Sequence, residues 1–172
     1  MSKPKSRRSS GGGKAAAGEY EGELNAAGKR DGKGICRFVA GDVYDGEWKD
    51  GKMHGKGRYK LADGDIYEGI WSKGLKQGPG TMWYASGRAD VVSYDKDADG
   101  SVGARWSDDR QMAWRLDKGE VVDEITLDEA QQIADQLGVP VPAKASEGSP
   151  LLRATGGAFP GSLDAMREAI PA

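Results

Sequence analysis

The chain has 172 residues, 27 of them glycine, with a formal net charge of −2. That length supports one domain with tails, and glycine stands at about twice its usual share. The single cysteine, Cys36, excludes a disulfide framework and any multi-cysteine zinc site, the near-neutral charge excludes a basic nucleic-acid-binding fold, and no apolar run is long enough to span a bilayer.

Residues 1–18 carry Lys3, Lys5, Arg7, Arg8 and Lys14 and no acid. This low-complexity stretch is expected to be a disordered basic arm. Arg7-Arg8-Ser9-Ser10 suits a basic-directed kinase, whose phosphates would offset the arm's charge. Lys3, Lys5, Arg7, Arg8, Ser9 and Ser10 are thus candidate lipid-binding or regulatory residues. Each basic residue near an anionic membrane contributes about 1 kcal/mol; a nuclear import signal and a solubilising tail are the other readings. The start, Met1 to Ser6, lacks an apolar leader. The expected location is the cytoplasm, with cytoskeletal or membrane association and nuclear entry left open.

A 23-residue repeat follows. Tyr44-Asp45-Gly46-Glu47-Trp48 recurs as Tyr67-Glu68-Gly69-Ile70-Trp71, and Gly51, Gly55 and Gly57 recur as Gly74, Gly78 and Gly80. Gly41, Gly64 and Gly87 keep the same period. An earlier copy starts at Tyr20-Glu21-Gly22-Glu23-Leu24 and needs a one-residue insertion in its Asn25-Ala26-Ala27 turn. A fourth copy is decayed, with Asp90, Val92 and Tyr94 where Tyr, Gly and Trp are expected and Gly103 retained. Loss of pattern at an array's end fits a capping repeat.

Each copy reads as one β-hairpin. In a strand, residues i, i+2 and i+4 share a face. Tyr44, Gly46 and Trp48 therefore point one way, with Gly46 leaving room for both rings, and Asp45 and Glu47 point the other. On the returning strand Gly55, Gly57, Tyr59 and Leu61 share the aromatic side, opposite Lys56, Arg58 and Lys60. Stacking the copies aligns Cys36 with Tyr59 and Met82, and Phe38 with Leu61 and Tyr84. The charged side reads as a solvated face. Asp50-Gly51, Lys73-Gly74, Asp63-Gly64 and Ser86-Gly87 are turn signals. One hairpin is unstable in water, so neighbours must bury each other's rings.

The Tyr-x-Gly-x-Trp-x-x-Gly-x-x-x-Gly-x-Gly pattern of residues 44–57 and 67–80, and the copy at 20–34, resembles the MORN repeat (membrane occupation and recognition nexus). The resemblance covers roughly residues 20–106. It implies an antiparallel stack of hairpins with a grooved face, used as an interaction or membrane-proximal module. The expected fold is mostly β: an elongated antiparallel sheet with one or two short C-terminal helices, its repeat domain spanning residues 19–125.

Residues 104–125 predict two or three further strands, with Asp117-Lys118-Gly119-Glu120 as a hairpin turn, closing the open sheet edge. Thr126-Leu127-Asp128-Glu129 reads as a capping box. A capping helix over 126–138 follows, ended by Gly138 and docked on the end of the sheet. Residues 139–161 read as a flexible linker. Residues 162–172 read as a short helix, Leu163 to Ile170, that docks or frays.

Candidate chemistry is sparse. His54, the only histidine, falls in a Lys52-Met53-His54-Gly55 turn, and Cys36 on the inward column reads as a buried, inert thiol. Asp95-Lys96-Asp97-Ala98-Asp99-Gly100 resembles half of an EF-hand loop, but Trp106 stands where the bidentate Glu belongs. Gly11-Gly12-Gly13-Lys14 lacks the spacing of a phosphate loop. No catalytic residue, cofactor or metal ligand is assigned. The expected function is a non-catalytic protein-interaction or scaffold module, with Tyr20, Tyr44, Trp48, Tyr59, Tyr67, Trp71 and Tyr84 as candidate groove aromatics. Its expected partner is another protein, or an anionic membrane surface in the alternative reading; nucleic acid and small-molecule substrates are not expected.

Overall fold

A computed structural model describes residues 17–142. Among them are ten strands and one helix. The strands pair antiparallel in chain order: β1 (Ala17–Leu24), β2 (Arg30–Phe38), β3 (Val43–Lys49), β4 (Lys52–Lys60), β5 (Ile66–Ser72), β6 (Leu75–Trp83), β7 (Ala89–Asp95), β8 (Ala98–Trp106), β9 (Ala113–Asp117) and β10 (Glu120–Ile125). The helix α1 (Leu127–Leu137) follows. The basic arm residues 3–10 and the short helix at 162–172 lie outside the described residues. Strand β1 begins at Ala17, so the arm ends two residues earlier than the composition indicates.

Two turn types alternate along the sheet. Asp50-Gly51, Lys73-Gly74, Lys96-Asp97 and Lys118-Gly119 each hold two successive positive φ angles. That is the two-residue turn whose twist matches paired strands. At the other edge Gly41, Gly64 and Gly87 sit in longer loops, each amide donating to the carbonyl three residues back. The first hairpin departs from this: Leu24 pairs with Arg30, whereas Trp48 pairs with Met53. The turn Asn25–Lys29 therefore carries the extra residue expected there.

Register defines two faces. Cys36, Tyr44, Tyr59, Tyr67 and Met82 are successive cross-strand partners. They form the front face with the Tyr and Trp rings. Leu61 and Tyr84 fall one residue beyond β4 and β6, so of the expected Phe38 column only Phe38 is in a strand. His54 lies in β4 opposite Glu47, not in a turn.

The fourth copy is a complete hairpin, β7–β8, rather than a remnant, because its substitutions suit each other. Asp90 stands in the Tyr position and accepts two hydrogen bonds from Arg105, Nε at 2.7 Å and Nη2 at 2.6 Å. The Asp95-to-Gly100 stretch spans its two-residue turn, so strands flank it in place of the helices of an EF-hand.

Strands β9 and β10 extend the sheet. They do not close it, since β10 is the last strand in the order and exposes Val121 and Val122. Thr126 caps α1 with both halves of the capping box, and Gly138 ends it at φ 67°. The helix packs across the back face of β7–β9, not on the sheet's end. There Ala130, Ile133 and Ala134 meet Val91, Ala104, Trp106, Ala113 and Ile125. The first residues of the expected linker are packed too: Val139 and Val141 lie against this core, and Arg110 Nε donates to the Pro142 carbonyl at 3.0 Å.

Candidate functional site

The front face is built by one unit, repeated. Tyr44 lies flat over two glycines, its own Gly46 and the cross-strand Gly57. A Cβ on Gly57 would sit 2.2 Å from the Tyr44 hydroxyl and 2.5 Å from its ring. The two glycines thus make a slot one ring thick. At its end the Tyr44 hydroxyl donates to the Glu47 carbonyl at 2.9 Å. Tyr20 over Gly22 and Gly34, and Tyr67 over Gly69 and Gly80, repeat the arrangement. The phenols donate to Glu23 at 2.8 Å and Ile70 at 3.4 Å.

Tryptophan links one unit to the one before. Trp48 Nε1 donates to the Gly34 carbonyl at 2.9 Å, and Trp71 Nε1 to the Gly57 carbonyl at 3.2 Å. Each indole stands edge-on to two tyrosines. Trp48 meets Tyr20 at 5.6 Å and Tyr44 at 5.0 Å; Trp71 meets Tyr44 at 5.5 Å and Tyr67 at 5.2 Å. Tyr94 takes the indole position in the fourth hairpin, 5.2 Å from Tyr67. Edge-to-face pairs contribute about 0.5–1.5 kcal/mol beyond burial. The tyrosine ring is the side chain nearest each slot glycine pair.

This packing divides the seven candidate aromatics. Tyr44, Trp48, Tyr67 and Trp71 are at most 5% exposed and form the interior of the face. Burial pushes the Tyr44 and Tyr67 phenols far above their ordinary range. Tyr20, Tyr59 and Tyr84 are partly exposed. Tyr59 donates to Asp42 at 2.7 Å and stacks on Phe38 at 5.8 Å. Tyr84 donates to Asp90 at 2.9 Å beneath the Arg88 guanidinium.

Phe38, Met53 and Met82 join the accessible rim of the same cluster. Met53 escapes a pattern reading because the Lys52-to-Gly55 stretch reads as a turn; it lies in β4, and its pairing with Trp48 places it on the front face. Two cations lie on this face as well. Arg30 stacks over Trp48 at 4.2 Å and donates to Cys36 Sγ at 3.2 Å. Lys76, 6% exposed, lies over Tyr94 at 4.6 Å. Cys36 is fully buried.

The back face is less solvated than its charges suggest. Arg58 lies between Asp45 on β3 and Glu68 on β5. Burial raises both carboxyls against the opposing pull of Arg58, and burial lowers Arg58 itself. The Arg58 Nε is buried with no hydrogen-bond partner among the described residues.

The MORN repeat family matches residues 20–43, 44–66 and 67–87, three consecutive units. Its boundaries fall on Tyr20, Tyr44 and Tyr67, the ring that fills each glycine slot. No curated protein matches the chain. Residues 20–87 are therefore three consecutive MORN repeats, one for each of the first three hairpins.

Proposed function

We propose that the chain is a non-catalytic interaction module whose front face receives a segment of another protein. The observation that carries this reading is the row of partly exposed Tyr20, Phe38, Met53, Tyr59 and Met82 on a packed aromatic base. These are large, apolar and held in place, which are the properties of binding anchors. The helix lies on the opposite face and leaves this row accessible. An extended or helical partner segment fits along it.

The test is affinity capture with the full chain as bait, comparing it with Phe38→Lys and Met82→Lys. Both substitutions alter the rim and spare the four interior rings. The reading requires that capture fall while the thermal midpoint holds. Undiminished capture by both variants refutes it.

Peripheral attachment to anionic membranes is the second reading, supported by the five bases and no acids of residues 1–18. Sedimentation with phosphatidylserine vesicles, with and without residues 1–18, separates the two. Binding that depends on the arm and ignores Phe38→Lys selects the membrane.

A further inference from the structure

Strand β10 ends the sheet and is hydrogen-bonded to β9 alone. In an antiparallel pair, alternate residues of an edge strand turn their N–H and C=O groups outward. Among the described residues no strand pairs with that side of β10. Val121 and Val122 are 48% and 62% exposed there. The helix α1 packs over β7–β9 and leaves this edge to solvent.

The charges beside the edge are mostly of one sign. Glu120, Asp123 and Glu124 are exposed on β10, which carries no base. Around them β9 and α1 add Asp117, Asp128, Glu129 and Asp135. Between residues 113 and 138 only Arg115 and Lys118 oppose these seven acids. Arg115 is shared between Asp123 at 3.5 Å and Glu129 at 3.9 Å. Register puts Val121 and Glu124 on the front face, and Glu120 and Asp123 on the back.

We propose that β10 receives an extended, basic segment of another protein as an added strand. Main-chain hydrogen bonds supply the pairing. Lysines or arginines beside Glu120, Asp123 and Glu124 supply the selection, with an apolar residue beside Val121. The same charges disfavour a second copy as the occupant, because β10 against β10 sets acid beside acid. The other edge strand, β1, has Glu19, Glu21 and Glu23 and no base, so joining copies end to end does likewise. The register shift between Val121 and Asp123 acts in the same direction, since a bulged edge resists indiscriminate pairing. This inference concerns the sheet's edge and does not rest on the partner proposed for the front face.

The probe is a short peptide of alternating lysine and valine, titrated against the full chain, with alternating glutamate and valine as its control. Nuclear magnetic resonance reads the exchange of the β10 amides and the cross-strand contacts from β10 to the peptide backbone. The expected result is that the lysine peptide slows exchange within Val121–Ile125 and gives those contacts, and the glutamate peptide does neither. In the double variant Glu120→Lys with Glu124→Lys, the lysine peptide should bind about tenfold more weakly, and the glutamate peptide should take its place. Equal binding of both peptides, or a double variant that does not exchange one peptide for the other, overturns the proposal. Binding without amide protection and cross-strand contacts overturns it too, because charge attraction alone is then at work. Protection of the same amides in the free chain also overturns it, because a second copy or another part of this chain is then the occupant.

Discussion

Gly57→Ala is the substitution whose sign separates a slot from an ordinary strand glycine. Replacing a strand glycine by alanine normally stabilises by about 0.5–1 kcal/mol through chain entropy. At Gly57 the new Cβ would lie 2.2 Å from the Tyr44 hydroxyl and 2.5 Å from the ring. The ring has nowhere to go, because Tyr44 is fully buried between Trp48 and Trp71. Overpacking costs about 1–3 kcal/mol, and partial eviction of the ring forfeits part of a burial worth about 1.5–3 kcal/mol. The net expectation is a loss of about 2–5 kcal/mol. Gly74→Ala is the control. Gly74 has φ +88° and no atom within 4 Å of an added Cβ, so its cost is the left-handed backbone alone, about 1–2 kcal/mol. Urea unfolding followed by tryptophan fluorescence reads both. In a Tyr44→Ala background the slot is empty; there Gly57→Ala should become neutral or stabilising while Gly74→Ala costs the same as before. If Gly57→Ala stabilises the chain, or costs equally in both backgrounds, the slot argument is wrong.

Other predictions follow from single contacts. Trp71→Phe keeps the ring stack but removes the donor to the Gly57 carbonyl; a loss of about 1 kcal/mol in the same urea assay is expected, against about 3–5 kcal/mol for Trp71→Ala. Arg105→Met leaves Asp90, 4% exposed, without its cation, and breaking such a pair costs about 3–5 kcal/mol. Thr126→Ala should cost about 1 kcal/mol and raise hydrogen exchange in α1 before the sheet. Hydrogen bonds from Thr126 hold the Glu129 carboxyl below its usual range, so its contribution is present at neutral pH and is lost as acid protonates it. Burial pushes the Tyr44, Tyr59 and Tyr67 phenols above their ordinary value, and Tyr84 to about 12. The folded state then holds protons the unfolded chain releases above about pH 10. Stability should fall as pH rises past that point, with tyrosinate absorbance appearing together with unfolding; free titration of all phenols near pH 10 in the folded chain would contradict the burial.

The hairpin array was legible because its determinants are periodic. A ring, a slot glycine and a turn glycine recur every 23 residues from Tyr44 to Tyr67, and strand alternation places them on one face. The helix was legible for a local reason, since Thr126, Glu129 and Gly138 are self-contained cap signals. The fate of each ring was less legible. Alternation puts Tyr44 and Tyr59 on the same side, but Tyr44 is enclosed by two indoles and Tyr59 is not. That difference arises between neighbouring hairpins and has no mark in either one. The docking of α1 on the back face was hidden likewise, because Val91 and Ala104 look like any strand residues until register puts them opposite the rings. The row Asp45, Arg58 and Glu68 reads as solvated charge in sequence; its burial comes from the neighbouring strands.

Nuclear Overhauser contacts between aromatic side chains test the account most directly. Every conclusion on the front face requires rings from successive hairpins to touch. Cross-peaks are expected from the Trp71 indole to the Tyr44 and Tyr67 rings, and from Tyr67 to Tyr94. A folded chain with contacts from Trp71 to Tyr67 but none from Trp71 to Tyr44 would mean that each hairpin packs by itself, and the stacked array would be refuted.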